Sequence, residues 1–282
     1  MKVFEKKSDL KNFIKDLKKQ HRKIGFVPTM GALHEGHLAL VKNSLKDNDY
    51  TVVSIFVNPT QFDNPDDLKQ YPRTFLEDIQ ALKTLDPNII VYSPQAEDIY
   101  DGEIRSESFD FEGLEKEMEG KHRPGHFDGV GTIVKKLFLI VQPDKAYFGE
   151  KDFQQLQIIK KLVEIENMPI EIIPVKIYRE KDGLAMSSRN KRLTPEARAY
   201  APYIYQVLSE TQKMWNEKEI EEIKNYVKEK MESHPFLQLE YFEISDEKTL
   251  KPANEKKSGN KYRGFIVVYA NDIRLIDNIA YN

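Results

Sequence analysis

The densest chemical signal in the sequence is Pro28-Thr29-Met30-Gly31-Ala32-Leu33-His34-Glu35-Gly36-His37. Gly31 and Gly36 permit close backbone approach, and a helix opening near Gly36 turns unpaired N–H groups toward an anion. His34 and His37, three residues apart, can add imidazole donors to the same phosphate. A plain turn with two solvated histidines fits the same letters, as does a three-nitrogen zinc site completed by His126. Zinc needs three or four converging ligands, and no HExxH or comparable spacing accompanies these histidines, so phosphate is the better match.

Further stretches carry groups of the same kind. A β-rich run stops at Pro59 and delivers Asn58 and Gln61, amides whose donors and acceptor suit a hydroxy acid, although an ordinary Asn-Pro turn reads the same way. Glu77 and Asp78 follow Tyr71-Pro72-Arg73-Thr74. Acids in a first helical turn are favourable in themselves, and Mg²⁺ commonly takes one or two carboxylates plus phosphates, so Asp78 is a candidate magnesium ligand. Gly120, Gly125, Gly129 and Gly131 surround Arg123, which forms either a phosphate or carboxylate clamp or part of a loop leading into a helix. In Phe148-Gly149-Glu150-Lys151-Asp152-Phe153-Gln154-Gln155 an ammonium stands where a helix begins. That placement is unfavourable unless an anion binds, and a surface lysine is the alternative. Ser187, Ser188 and Arg189, in Gly183-Leu184-Ala185-Met186-Ser187-Ser188-Arg189-Asn190, can wrap a triphosphate or sit in a linker.

The elements that must position these groups alternate. Leu10, Phe13, Ile14 and Leu17 mark one helical face behind Ser8 as N-cap. Strands are expected at 23–27, 50–57, 89–92, 145–148 and 170–175, with helices near 37–45, 74–84, 130–141 and 151–165. This rhythm predicts an α/β fold with a doubly wound, Rossmann-like parallel sheet, whose ligands bind beyond the carboxyl ends of the strands. After residue 175 come helical segments rich in Glu and Lys, then strands at 237–244, 265–270 and 273–276 with a hairpin turn at Asn271-Asp272. The expected division is 1–175, binding nucleotide and acid, and a smaller α+β domain over 176–282.

Composition narrows the function classes. The 282 residues include 40% hydrophobic and 32% charged side chains, a globular balance. The formal charge of −3 lacks the positive surplus of a nucleic-acid binder. The absence of cysteine excludes thiol catalysis, thiolate metal sites and disulfides. No stretch approaches the 18 to 20 apolar residues of a membrane span, so the expectation is a soluble, cytoplasmic protein with no nucleic-acid or membrane partner.

The stretch from Pro28 to Val41 resembles the pantothenate synthetase family, its HxGH element being the counterpart of the HIGH signature of class I aminoacyl-tRNA synthetases and nucleotidylyltransferases. The Asn58–Gln61 element, Arg123-Pro124-Gly125-His126-Phe127, Gly149-Glu150-Lys151-Asp152 with its glutamine pair, and Met186-Ser187-Ser188-Arg189-Asn190 follow in the family's order. The resemblance implies ATP-dependent ligation of pantoate to β-alanine through a pantoyl-adenylate, with ATP as substrate, Mg²⁺ as cofactor and a homodimer as the assembly. It implies ATP contacts from Met30, Gly31, Ala32, Leu33, His34, Glu35, Gly36 and His37, from Gly149, Glu150, Lys151 and Asp152, and from Tyr178, Met186, Ser187, Ser188 and Arg189. His34, His37, Lys151 and Arg189 would be catalytic, and Gln61, Gln155, Asn58 and Arg123 would hold pantoate and β-alanine. Tyr178 departs from the family, which more often has a small aliphatic residue whose backbone touches adenine. Two other readings compete: a nucleotidylyltransferase, whose product keeps the nucleotide, and a nucleotide-sensing module, which binds ATP without turnover. A tRNA-binding synthetase fragment is disfavoured by the net charge.

Overall fold

The computed structural model describes residues 1–62 and 65–281. They belong to two compact units, Met1–Glu150 with Gln154–Lys176, and Lys151–Phe153 with Ile177–Asn282.

In the first unit β1 (Lys2–Phe4), β2 (Ile24–Thr29), β3 (Tyr50–Ile55), β4 (Ile90–Tyr92), β5 (Lys145–Gly149) and β6 (Glu171–Val175) form a six-stranded sheet in the order β1-β4-β3-β2-β5-β6. Every pairing is parallel. The helices are α1 (Lys7–Lys19), α2 (Glu35–Asp47), α3 (Pro65–Gln70), α4 (Phe75–Leu85), α5 (Ala96–Ile99), α6 (Met118–His122), α7 (His126–Val141) and α8 (Phe153–Ile165).

Alternation along β2 sends successive side chains to opposite faces. Val27 joins Leu40 and Val41 of α2 and Leu82 of α4 in one buried cluster, while Phe26 meets Phe138 of α7 edge-on at 6.2 Å. Both faces are therefore covered, as a parallel sheet requires. The chain moves from β2 through β3 to β4 in one direction, and β5 then returns to the other flank of β2. The strand order reverses between β2 and β5, so the loops leaving those two neighbours flank the crevice where such sheets take ligands.

Local expectations change in places. Ser8 lies inside α1, whose first amide, that of Lys7, donates instead to Asp98 Oδ2 at 2.7 Å. The edge strand β1 was not anticipated; it is three residues long and pairs Val3 with Val91.

The second unit is α+β. Strands β7 (Leu237–Asp246), β8 (Tyr262–Ala270) and β9 (Ile273–Tyr281) form an antiparallel sheet in that order, with Asn271 at φ 53° in the hairpin turn between the last two. Helices α9 (Pro195–Tyr200), α10 (Tyr203–Met214) and α11 (Ile220–Glu232) supply Ile204, Val207, Ile223 and Val227 to a core shared with Ile266 and Val268. Among the described residues no helix is long and apolar enough to cross a membrane.

Candidate active site

Beyond β2 the chain turns sharply into α2. Thr29 Oγ1 donates to Ser54 O at 2.7 Å and accepts the Gly31 N–H at 3.1 Å, fixing the end of the strand. Gly31 (φ 77°) and Ala32 (φ 50°) then adopt the left-handed conformation. For alanine this costs about 1–2 kcal/mol. Asp78, in the first turn of α4 and 2% exposed, accepts the N–H groups of Ala32 at 2.9 Å and Leu33 at 2.7 Å and the Thr74 hydroxyl at 3.1 Å. Hydrogen bonds to a charged group contribute about 1.5–3 kcal/mol each, so this carboxylate outweighs the strain at Ala32 and holds the turn. These bonds commit Asp78 to the loop backbone, beside the magnesium-ligand role expected of it. Among the described residues no group of three or more His, Asp or Glu side chains is disposed to hold a metal, zinc or magnesium.

The turn delivers both histidines. His34 is the N-cap residue of α2 and His37 stands in its first turn, and their rings stack at 4.0 Å with an interplanar angle of 23°. Both are half-buried. The His34 side chain makes no capping bond here, and a helix N-terminus favours a negative charge.

Gln61 lies against the same loop, its Nε2 donating to Met30 Sδ at 3.2 Å. Its backbone carbonyl accepts from His126 Nδ1 at 2.8 Å and Arg123 at 3.3 Å, which ties the start of α7 to the residues after β3. Arg123 thus anchors Gln61, alongside the substrate role expected of it. Asn58, expected at the substrate, is 1% exposed and engages protein groups at both ends of its amide. Nδ2 donates to Gln61 Oε1 at 3.1 Å and Gly129 O at 3.2 Å, while Oδ1 accepts from the Tyr100 hydroxyl at 2.6 Å and from Thr60 at 3.2 Å. Asn58 therefore positions Gln61. Burial pushes the Tyr100 hydroxyl's pKa up, against its hydrogen bonds with Thr60 and Asn58, and keeps it protonated.

Beyond β5 the adjacent glutamines separate. Gln154 is buried and braces the approach to α6, donating to Leu114 O at 2.9 Å and Glu117 O at 2.8 Å and accepting the Glu119 N–H at 3.0 Å. Gln155, the one expected to meet pantoate, is half-buried.

In the second unit Lys151 is held by its backbone. Its carbonyl accepts from Asn278 Nδ2 at 2.9 Å, and Asn278 Oδ1 accepts from Arg263 at 2.6 Å. Phe153 packs on Phe265, with the Arg263 guanidinium 4.0 Å over its ring. The Lys151 ammonium has Asp152 at 3.9 Å.

The expected phosphate loop belongs to the same unit. Tyr178, 41% exposed, accepts the Met186 N–H on its carbonyl at 3.0 Å, and Arg179 bridges Ala185. Arg179 also makes a two-bond fork to Asp277, at 2.6 and 3.0 Å. Ser187 caps a short helical turn over 188–192 by accepting the Arg189 N–H at 3.3 Å, and Ser188 is buried. Asn190 donates to Glu180 at 2.9 Å and Arg198 pairs with Glu180 and Asp182, both at 2.6 Å. Burial resists ionisation of Asp182, but Arg198 and the Leu184 N–H prevail and hold its carboxyl below the usual range.

Sequence reasoning missed Tyr100, Gly129, Gln154 and Asn278 as supports of the site. Gln154 carried a local signal in the glutamine pair, and Gly129 in its place in the glycine-dense stretch. A Cβ there would stand 2.3 Å from Thr60 O, so the glycine serves close packing of α7 on the Asn58–Gln61 segment.

The chain resembles known proteins. A family model described as pantoate-beta-alanine ligase matches residues 2–280. The chain is 56% identical over 278 residues to the pantothenate synthetase of Flavobacterium psychrophilum, covering 99% of each, and 53% identical over 282 residues to that of Christiangramia forsetii, covering all of each. Among solved structures, a pantothenate synthetase from Thermus thermophilus superposes with a TM-score of 0.90 at 35% identity, covering 100% of this chain and 99% of that one. The Francisella tularensis pantoate-beta-alanine ligase complexed with beta-gamma ATP and beta-alanine gives 0.81 at 37% identity, covering 100% and 98%.

Proposed function

Because this chain belongs to the pantoate-beta-alanine ligase family, we propose that it condenses pantoate with β-alanine in an ATP-driven reaction and that the groups described above carry it. The observation that supports this reading most directly is the stacked His34–His37 pair at the uncapped start of α2, with Gln61 touching Met30 of the same loop. Donors for phosphate and an amide for a hydroxy acid are thereby brought within one segment of the fold.

In the first half-reaction a pantoate carboxylate oxygen attacks the α-phosphorus of ATP and pyrophosphate departs, leaving pantoyl-adenylate. The difficulty is bringing two anions together, and His34, His37, Lys151, Ser187, Ser188 and Arg189 answer it with donors and positive charge. In the second half-reaction the β-alanine amine attacks the acyl carbon and AMP leaves. No enzyme nucleophile is needed, so catalysis rests on orientation and electrostatic stabilisation. Gln61 and Gln155 orient pantoate. Among the described residues no group of three or more acidic or histidine side chains is disposed to hold a metal, so Mg²⁺ accompanying ATP would draw on the phosphates with at most one or two carboxylates. The homodimer and cytoplasmic location implied by the resemblance complete the proposal, and sedimentation of the purified protein tests the first.

The decisive assay follows pyrophosphate and AMP from ATP, Mg²⁺ and pantoate, with and without β-alanine. Stoichiometric pyrophosphate with pantoate alone, becoming catalytic with AMP once β-alanine is added, is the expected outcome. ATP binding with neither product in either mixture would favour a nucleotide sensor, and a product that keeps the nucleotide would favour a nucleotidylyltransferase.

A further inference from the structure

The polarity of the Gln61 side chain can be read from its surroundings, although an amide's oxygen and nitrogen ends are alike in shape. Gly129 O, on α7, can only accept a hydrogen bond, so the end of Asn58 lying 3.2 Å from it is Nδ2. That nitrogen has only donors, so the end of Gln61 lying 3.1 Å from it is Oε1. The opposite end of Asn58 is Oδ1, and it receives the Tyr100 hydroxyl at 2.6 Å. Tyr100 follows α5 and is 2% exposed, with its hydroxyl 2.9 Å from Thr60 Oγ1. The acceptor of Gln61 is thus engaged inside the protein. What remains is Nε2, whose partner is Met30 Sδ, a weak acceptor that a substrate oxygen can displace.

We propose that Tyr100 is a positioning residue for pantoate: through Asn58 it fixes the Gln61 amide so that N–H donors, not the carbonyl oxygen, face the substrate. The inference rests on the reading that Gln61 contacts pantoate. It narrows that contact to an oxygen with a lone pair to offer, the carboxylate or a hydroxyl in its acceptor role. Tyr100 itself touches no substrate atom; its effect passes entirely through the two amides.

The test is a double-mutant cycle on the full-length protein, reading the KM for pantoate, the KM for ATP and the thermal midpoint. Gln61→Ala should raise the pantoate KM about tenfold or more with the ATP KM unchanged. Tyr100→Phe, which removes one hydroxyl and leaves the ring, should raise the pantoate KM about fivefold, again without moving the ATP KM. In the Gln61→Ala background Tyr100→Phe should add less than about twofold, because nothing is left to position. Asn58→Ala removes the same link from its middle and carries the same expectations if Tyr100→Phe does not fold. A lowered thermal midpoint with an unchanged pantoate KM, or a Tyr100→Phe effect that persists in full without Gln61, would overturn the positioning role. An unchanged pantoate KM in Gln61→Ala would instead remove the pantoate reading of Gln61, and this inference with it.

Discussion

Replacing Asp78 by asparagine separates a loop clamp from a metal ligand. The wild-type carboxylate accepts two buried amides and one hydroxyl, at 2.9, 2.7 and 3.1 Å. Asparagine keeps one acceptor end and presents an NH₂ to the other amide, so at least one charge-assisted bond becomes a donor–donor contact. At about 1.5–3 kcal/mol for a bond to a charged group, with the remaining bonds weakened by loss of the charge, the expected destabilisation is about 2–4 kcal/mol. That is a large part of a total stability of about 5–15 kcal/mol. The strain at Ala32 then favours relaxation of the turn, and the displaced histidines should lower the rate of pyrophosphate release at least about tenfold. Urea unfolding and a pyrophosphate assay at saturating Mg²⁺ measure the two effects. Ala32→Gly in the same background should recover part of the stability, because glycine takes φ near 50° without strain. An Asp78→Asn enzyme that unfolds at the wild-type midpoint but needs more Mg²⁺ for half-maximal rate would refute the clamp and restore the metal ligand.

Three further outcomes follow from the same geometry. His37→Ala should slow adenylate formation at least about tenfold while the unfolding midpoint stays near wild type, since a half-buried donor contributes mainly in the transition state; unchanged pyrophosphate release would exclude the role. Gly129→Ala places a methyl 2.3 Å from Thr60 O and 2.9 Å from Gln61 Cα, so the segment must shift. A raised pantoate KM together with a lower thermal midpoint is expected, and an unaffected KM would show that the segment does not serve pantoate. Asp182 has a depressed folded pKa, so its pairing with Arg198 contributes fully above the ordinary value of 3.8 and is lost as the pH falls through the lower folded value. Proteolysis within residues 178–192 should therefore be flat from about pH 5 to 8 and rise only below about pH 4, and Arg198→Ala should accelerate it at pH 7. Opening already at pH 6 would mean that another group controls the loop.

What the sequence made legible was whatever a local pattern dictates. β3 was readable because Thr51, Val52, Val53, Ser54 and Ile55 are all buried and so form an uninterrupted β-rich run. β1 was not, because Lys2 and Val3 are exposed and pairing with β4 is the only thing that makes Lys2–Phe4 a strand. The sequence pattern starts α7 at residue 130, whereas the helix begins at His126. Gly129 and Gly131 are loop residues by propensity, but tertiary packing against Thr60 requires Gly129 within the helix. At the site, the letters point to His34, His37 and Gln61, and the structure sets the two rings on one turn with Gln61 against Met30 of it. The protein contacts of Asn58 and Asp78 are not legible that way, since a polar residue turned toward backbone groups of a distant segment has the same composition as one turned toward a ligand.

Gln154 and Gln155 show why that ambiguity is physical. Successive helical positions differ by about 100°, so two identical neighbours cannot serve one face. One amide is used on Leu114, Glu117 and Glu119, and the other is the one proposed to meet pantoate. The same division recurs behind the groups proposed to meet substrate: Asp78 behind the His34–His37 turn, Tyr100 and Asn58 behind Gln61, Asn278 behind Lys151. A reaction that needs no enzyme nucleophile depends on how accurately donors are held before substrates arrive, because a donor free to turn must lose that freedom in the transition state. Each support is a buried polar group bound to a fixed backbone or side-chain partner, and burial makes those bonds costly to break. The residues proposed to face substrate can therefore remain half-exposed and still be ordered, their orientation being fixed from behind.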